Sequence, residues 1–246
     1  MRIAENVYLL ASGALGTGMT HSRDCNVYAV RCGDEFVLID AGVGRETEQL
    51  LTNLAADAID PGRVRSLFLT HAHLDHSGGA HQLREALDLQ VCASAECARA
   101  VRAGDERAIS LDVAKRAGIY PEDFEFSACP VDRVLTDGEQ LQKGDCEMEV
   151  VATPGHSRDM LSYLIRAPGQ TLLFSGDTLF FGGKILLSDV YDCDVPAYVC
   201  SLRKLARQPF DALFPGHNLW VLRGASAHLK VALDALDRLL LPPSLI

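Results

Sequence analysis

Four short apolar runs in this chain each stop at a residue able to bind a metal ion. They are Leu67-Phe68-Leu69-Thr70-His71, Val150-Val151-Ala152-Thr153-Pro154-Gly155-His156, Leu172-Leu173-Phe174-Ser175-Gly176-Asp177 and Ala212-Leu213-Phe214-Pro215-Gly216-His217. Runs of this length bounded by glycine and proline read as buried strands. A ligand placed just past a strand end is held by a rigid sheet, which is the kind of support a metal site needs. The Pro-Gly-His ending recurs at 154–156 and 215–217. It predicts two similar sheet-containing halves with one such turn in each.

The first run continues into Thr70-His71-Ala72-His73-Leu74-Asp75-His76, which packs four possible ligands into six residues. Imidazole and carboxylate are the donors that hold a catalytic divalent metal while leaving a coordination position open for water. His156 and His217 would mean little singly, but their shared context makes both of them ligand candidates. Asp177, in Ser-Gly-Asp-Thr after an apolar run, joins them, although an aspartate there also suits a helix cap. His21, His81 and His228 read as ordinary structural histidines. His21 differs from the other two because it lies in the glycine-rich stretch Gly13 to Asp24, a loop that can reach a substrate.

The pattern His-x-His-x-Asp-His followed by a distant His, Asp and His resembles the metallo-β-lactamase superfamily, and the resemblance covers essentially the whole chain. It implies an α/β fold, a four-layer αβ/βα sandwich of two mixed sheets flanked by helices, forming one domain over residues 1–246. By position, it implies that His71, His73 and His156 hold one metal, that Asp75, His76 and His217 hold a second, and that Asp177 bridges them. Two cations so close repel, and a bridging carboxylate with a bridging hydroxide offsets that repulsion. The expected cofactors are therefore two divalent ions, zinc first, with iron or manganese able to substitute at an all-nitrogen-and-oxygen site.

Such a centre lowers the pKa of bound water and needs no serine or cysteine nucleophile. The expected reaction is hydrolysis of a small ester, lactone or thioester by the metal-bridging hydroxide, with Asp75 as the catalytic residue that handles a proton. Glyoxalase II-type enzymes, which cleave a glutathione thioester, share the pattern but carry a long C-terminal helical region, and a helix-length tail follows His217 here. Quorum-signal lactonases place a tyrosine three residues after the bridging aspartate, where this chain has Phe180. A mononuclear iron persulfide dioxygenase, using the equivalents of His71, His156 and Asp177, is the alternative from another class, and a nuclease is a further one. Phe180, Phe181, Tyr191 and Trp220 are candidate pocket walls, and Lys184 is a candidate partner for a substrate carboxylate.

Charge argues against the nuclease. With 33 acidic against 23 basic residues and a net charge of −10, the chain offers no general attraction for phosphates. The partner is read as a small molecule, not a membrane or a nucleic acid. Met1 to Tyr8 lacks a secretory-type segment and the eight cysteines form no Cys-x-x-Cys pair, so a reducing cytoplasmic location is expected.

The remaining elements follow from periodicity and punctuation. Strands are expected at Val7 to Leu10, Cys25 to Cys32 and Phe36 to Asp40, then at Arg133 to Leu135, Glu147 to Ala152 and Leu161 to Arg166. Helices are expected at Glu46 to Ala55, from Gly78 to Leu87, at Ala95 to Ala103, Glu106 to Ala117, Ala197 to Ala206 and Ala225 to Leu240.

Overall fold

The computed structural model describes residues 1–246 and resolves into two compact units, Met1–Leu135 and Thr136–Ile246. The first contains β1 (Val7–Ala11), β2 (Val27–Cys32), β3 (Glu35–Ile39), α1 (Thr47–Ala56), β4 (Val64–Phe68), α2 (Leu74–Ser77), α3 (Ala80–Leu87), β5 (Gln90–Ser94), α4 (Ala95–Ala103), α5 (Leu111–Arg116) and β6 (Arg133–Leu135). Its six-stranded sheet has the order β1-β2-β3-β4-β5-β6. The hairpins β1-β2 and β2-β3 are antiparallel, and β3 to β6 are parallel. Asp40 and His71 therefore leave neighbouring strands at the same end of the sheet.

Helices α1, α3 and α4 cover one face of this sheet. Leu50 and Leu54 of α1, Leu83 and Leu87 of α3 and Val101 of α4 pack with Leu10, Leu38, Leu67 and Val91 in one core cluster. Removing one of these leucines to alanine would cost about 2–5 kcal/mol, the usual range for a core cavity. α4 begins where Ser94 accepts a hydrogen bond from the Cys97 N–H, and it ends at Gly104 in the left-handed region.

The second unit contains β7 (Gln140–Lys143), β8 (Cys146–Ala152), β9 (Leu161–Ala167), β10 (Gln170–Gly176), α6 (Val195–Leu205), β11 (Ala212–Pro215) and α7 (Ser226–Asp237). Its sheet has the order β11-β10-β9-β8-β7. β8 and β10 both run antiparallel to β9, and β10 is parallel to β11. The three strands that precede His156, Asp177 and His217 thus point the same way and deliver those residues to one end of the sheet. Helices α6 and α7 pack Leu202, Leu205, Leu229 and Leu236 on Val151, Leu164, Leu173 and Leu213.

Several expectations are corrected. Both Pro-Gly-His turns lie in the second unit, so they do not mark separate halves. The helix expected over Glu106 to Ala117 shrinks to Leu111–Arg116, because Ser110 takes a left-handed conformation, φ 59°, that interrupts it. α7 stops at Asp237 short of Leu240, with Leu239 left-handed and almost fully exposed. Strands β5 and β7 were not anticipated. No helix is long and apolar enough to cross a membrane.

Candidate metal centre

In the first unit, β4 feeds directly into the ligand-rich turn. His71 and His76 are fully buried and His73 is 8% exposed, whereas the Asp75 side chain keeps 27% of its surface. The imidazoles crowd together, with ring centroids of His71 lying 4.6 Å from His73 and 4.1 Å from His76. His73 precedes α2, and its carbonyl accepts the His76 and Ser77 N–H groups, which turns His76 back toward His71. The turn is pressed against the loop after β3. A Cβ on Gly78 would lie 2.4 Å from the Val43 carbonyl oxygen, and one on Gly79 would lie 2.2 Å from that of Ala41. Only glycine lets the two backbones approach this closely.

The loop after β3 supplies the support the sequence did not reveal. Asp40 is buried, and its carboxylate accepts the Thr70 N–H at 2.7 Å and the Thr70 hydroxyl at 2.9 Å. It also faces His76 Nδ1 at 2.8 Å. With the Thr70 proton given to Asp40, Thr70 Oγ1 is left to accept from His71 Nδ1, 3.0 Å away. The network assigns the proton to Nδ1 in both rings and the lone pair to Nε2, the arrangement that orients a metal-binding histidine. Cys25 lies within the same donor group as Asp40 and His76, whose ligand atoms are all within 4.8 Å of one another. Burial pushes its thiol up to about 12, so it stays protonated and is a poor nucleophile.

The second unit positions its candidate ligands in the same manner. His156 Nδ1 is 2.9 Å from the Leu186 carbonyl oxygen, which again leaves the lone pair on Nε2. Asp177 is buried, and its Oδ2 lies 3.5 Å from both His156 Nε2 and His217 Nε2. Donors bound at 2.0–2.2 Å around a tetrahedral metal sit about 3.3–3.6 Å apart. The chemistry and spacing of this donor set therefore fit a divalent ion. The strand pair carries that geometry: Gly176 and Pro215 are Cα partners, and the Gly216 N–H donates to the Gly176 carbonyl, so Asp177 and His217 leave the sheet side by side.

Residues 22–217 match the sequence profile of the metallo-beta-lactamase superfamily. The chain belongs to that superfamily. Among its relatives are the atrochrysone carboxyl ACP thioesterase of Aspergillus fumigatus, 27% identical over 202 residues that make up 82% of this chain and 53% of the thioesterase. The acyl-coenzyme A thioesterase MBLAC2 of Gallus gallus is 30% identical over 209 residues, 78% of this chain and 72% of that protein. The chain thus spans about half the length of the fungal relative. A mutant metallo-beta-lactamase from Cronobacter sakazakii superposes with a TM-score of 0.67 at 23% identity, over 97% of this chain and 84% of that one. This likeness carries the fold, two mixed sheets flanked by helices.

The residues expected to meet a substrate in this superfamily member fall into two groups. Phe180 has no exposed surface, and its ring stacks toward His217 with centroids 6.5 Å apart. Phe180, expected as a pocket wall, is instead a buried side chain packed beside His217. Tyr191 is 48% exposed, and Lys184 and His21 are partly exposed on loops. Lys184 pairs its carbonyl with the Phe180 N–H, and His21 Nδ1 accepts the Arg23 N–H. His228 turns out to pin the loop after Asp177: its Nδ1 accepts the Gly182 N–H at 2.8 Å, with Phe181 packed at 4.7 Å. Burial lowers its pKa, which keeps it the acceptor this bond requires.

The glycine-rich stretch is tied down as well. Asp24 accepts from the Thr20 hydroxyl and from the Val43 N–H, which links the loop carrying His21 to the loop after Asp40. Burial raises the Asp24 carboxyl above its usual range.

Proposed function

We propose that this protein is a metal-dependent hydrolase of small acyl thioesters, with esters and lactones as secondary substrates. The observation that carries the reading is the placement of one Asp177 oxygen 3.5 Å from both His156 Nε2 and His217 Nε2. A buried carboxylate oxygen held between two imidazole nitrogens at donor-to-donor spacing is what a shared metal ligand requires. The first unit supplies His71, His73, Asp75 and His76, and the second supplies His156, Asp177 and His217. We read residues 1–246 as one catalytic domain with two divalent ions, zinc first.

When bound, the ions supply a water-derived nucleophile at neutral pH and positive charge for the developing oxyanion. The chain's own residues do the rest. The Asp40, Thr70 and Leu186 oxygens fix the imidazole rings and their tautomers. Asp75, the most exposed member of its cluster, is placed to accept a proton from the attacking water and to pass it to the leaving atom or to solvent. Phe180 and the buried strand ends keep bulk water from competing at the ligand side. His21, Lys184 and Tyr191 are the proposed substrate contacts, each with surface available to a ligand.

Two thioesterases among the relatives support thioesters as the first choice, and a thiolate is a better leaving group than an amide nitrogen. A panel tests it: an acyl-coenzyme A, a simple acyl thioester, lactoylglutathione, a γ-lactone, a cephalosporin reporter and a phosphodiester reporter, compared by kcat/KM. Thioester turnover should exceed that of the β-lactam and the phosphodiester by at least about tenfold, a discrimination of about 1.4 kcal/mol. Dominant cleavage of the phosphodiester would make this a nuclease-type member, and dominant lactoylglutathione cleavage would make it a glyoxalase II-type one.

A further inference from the structure

Helix α6 approaches the ligand turns of the second unit from behind. The Ser201 hydroxyl donates to the Pro154 carbonyl at 2.6 Å, and the Asp194 N–H at the head of the helix donates to the Gly155 carbonyl at 2.8 Å. Between them Tyr198, 1% exposed, lies so close to Gly155 that a Cβ there would come within 2.5 Å of the Tyr198 Cα. This explains the glycine of the first Pro-Gly-His turn.

The Tyr198 hydroxyl sits where the supports of two ligands meet. It donates to the Asp177 backbone carbonyl and accepts the Leu186 N–H at 3.2 Å. Leu186 is also the residue whose carbonyl holds His156 Nδ1. One hydroxyl therefore closes both ends of the 177–186 loop, tying the Asp177 peptide at one end to the His156 support at the other. A phenol has the one donor and the lone pairs to serve both, and a buried site offers no easy replacement.

We propose that Tyr198 is a positioning residue for the metal centre, with its hydroxyl setting the placement of Asp177 relative to His156. The inference rests on the reading that these two residues bind metal. It goes beyond the ligands because nothing in the ligand pattern points to a residue on α6.

The experiment compares the parent protein with Tyr198→Phe and, as a control on the same helix, Cys200→Ser at an exposed position. Zinc affinity is read by competition with a chromophoric chelator, and the cobalt-substituted proteins are compared by their visible absorption bands. Tyr198→Phe is expected to bind zinc about tenfold more weakly and to shift the cobalt bands, as loss of an outer support does. Cys200→Ser is expected to keep both. Affinity and cobalt bands of Tyr198→Phe identical to those of the parent, or losses equal in the two variants, would overturn the proposal. In case Tyr198→Phe does not fold, hydrogen exchange on the parent supplies a second reading. Metal loading should slow exchange of the Leu186 amide more than that of the Leu202 amide in α6, and equal slowing would overturn the proposal. A parent that takes up no metal at all overturns the metal-centre reading itself, whereas metal binding without these effects overturns only the role of Tyr198.

Discussion

Asp177→Ala is expected to lower kcat/KM by about a thousandfold or more, on the order of 4 kcal/mol in the activation barrier, and to release bound metal. The reason is positional. One Asp177 oxygen lies 3.5 Å from both His156 Nε2 and His217 Nε2, so its removal strips a carboxylate from a buried cluster of nitrogen donors and would disturb the ions proposed there. His228→Ala makes the matched comparison. It deletes a histidine in the same unit that holds the Gly182 N–H rather than a metal ligand, and activity should stay within a few fold of the parent. Steady-state kinetics on both variants, with metal content measured on the same samples, checks the pair. Equal losses would mean that the loop, not the ligand, controls turnover.

Asp40→Ala should be the most damaging change outside the ligands. Three groups depend on its carboxylate, the Thr70 N–H, the Thr70 hydroxyl and His76 Nδ1, all buried. Removing one partner of such a network leaves the others desolvated and unsatisfied, a loss of about 3–5 kcal/mol in folding stability. Metal affinity should fall by about 10–100-fold, because His71 and His76 lose the contacts that fix their tautomers. Denaturant melts and chelator competition read the two effects separately. A variant that melts with the parent and keeps its metal affinity would show that the Asp40–Thr70 network is incidental.

The candidate donor cluster was legible in the sequence because metal chemistry admits few donor types and because His71, His156, Asp177 and His217 each follow an apolar run. Strands β4, β8, β10 and β11 end within a few residues of where those runs predicted. Strand β7 was not legible, since Gln140, Gln142 and Lys143 leave only Leu141 as a buried residue. Helix α5 was overextended because composition continues through Ser110, whereas the backbone there turns left-handed. The supports were hidden for a different reason. Asp40 acts on His76 across 36 residues, and Tyr198 acts on Asp177 across 21. Neither spacing has a period that sequence can express. Phe180 shows the same limit in reverse: its place near Asp177 was evident, but whether it faced a ligand or the core depended on packing alone.

His71, His73, Asp75, His76, His156, Asp177 and His217 are proposed to hold two divalent ions. Elemental analysis by mass spectrometry, on protein prepared without added metal and again after saturation with zinc and removal of excess, tests this most directly. Saturation is expected to reach two ions per chain, and Asp177→Ala is expected not to reach that value. A chain that saturates at a single tightly held iron, or that retains no metal, would contradict the proposal.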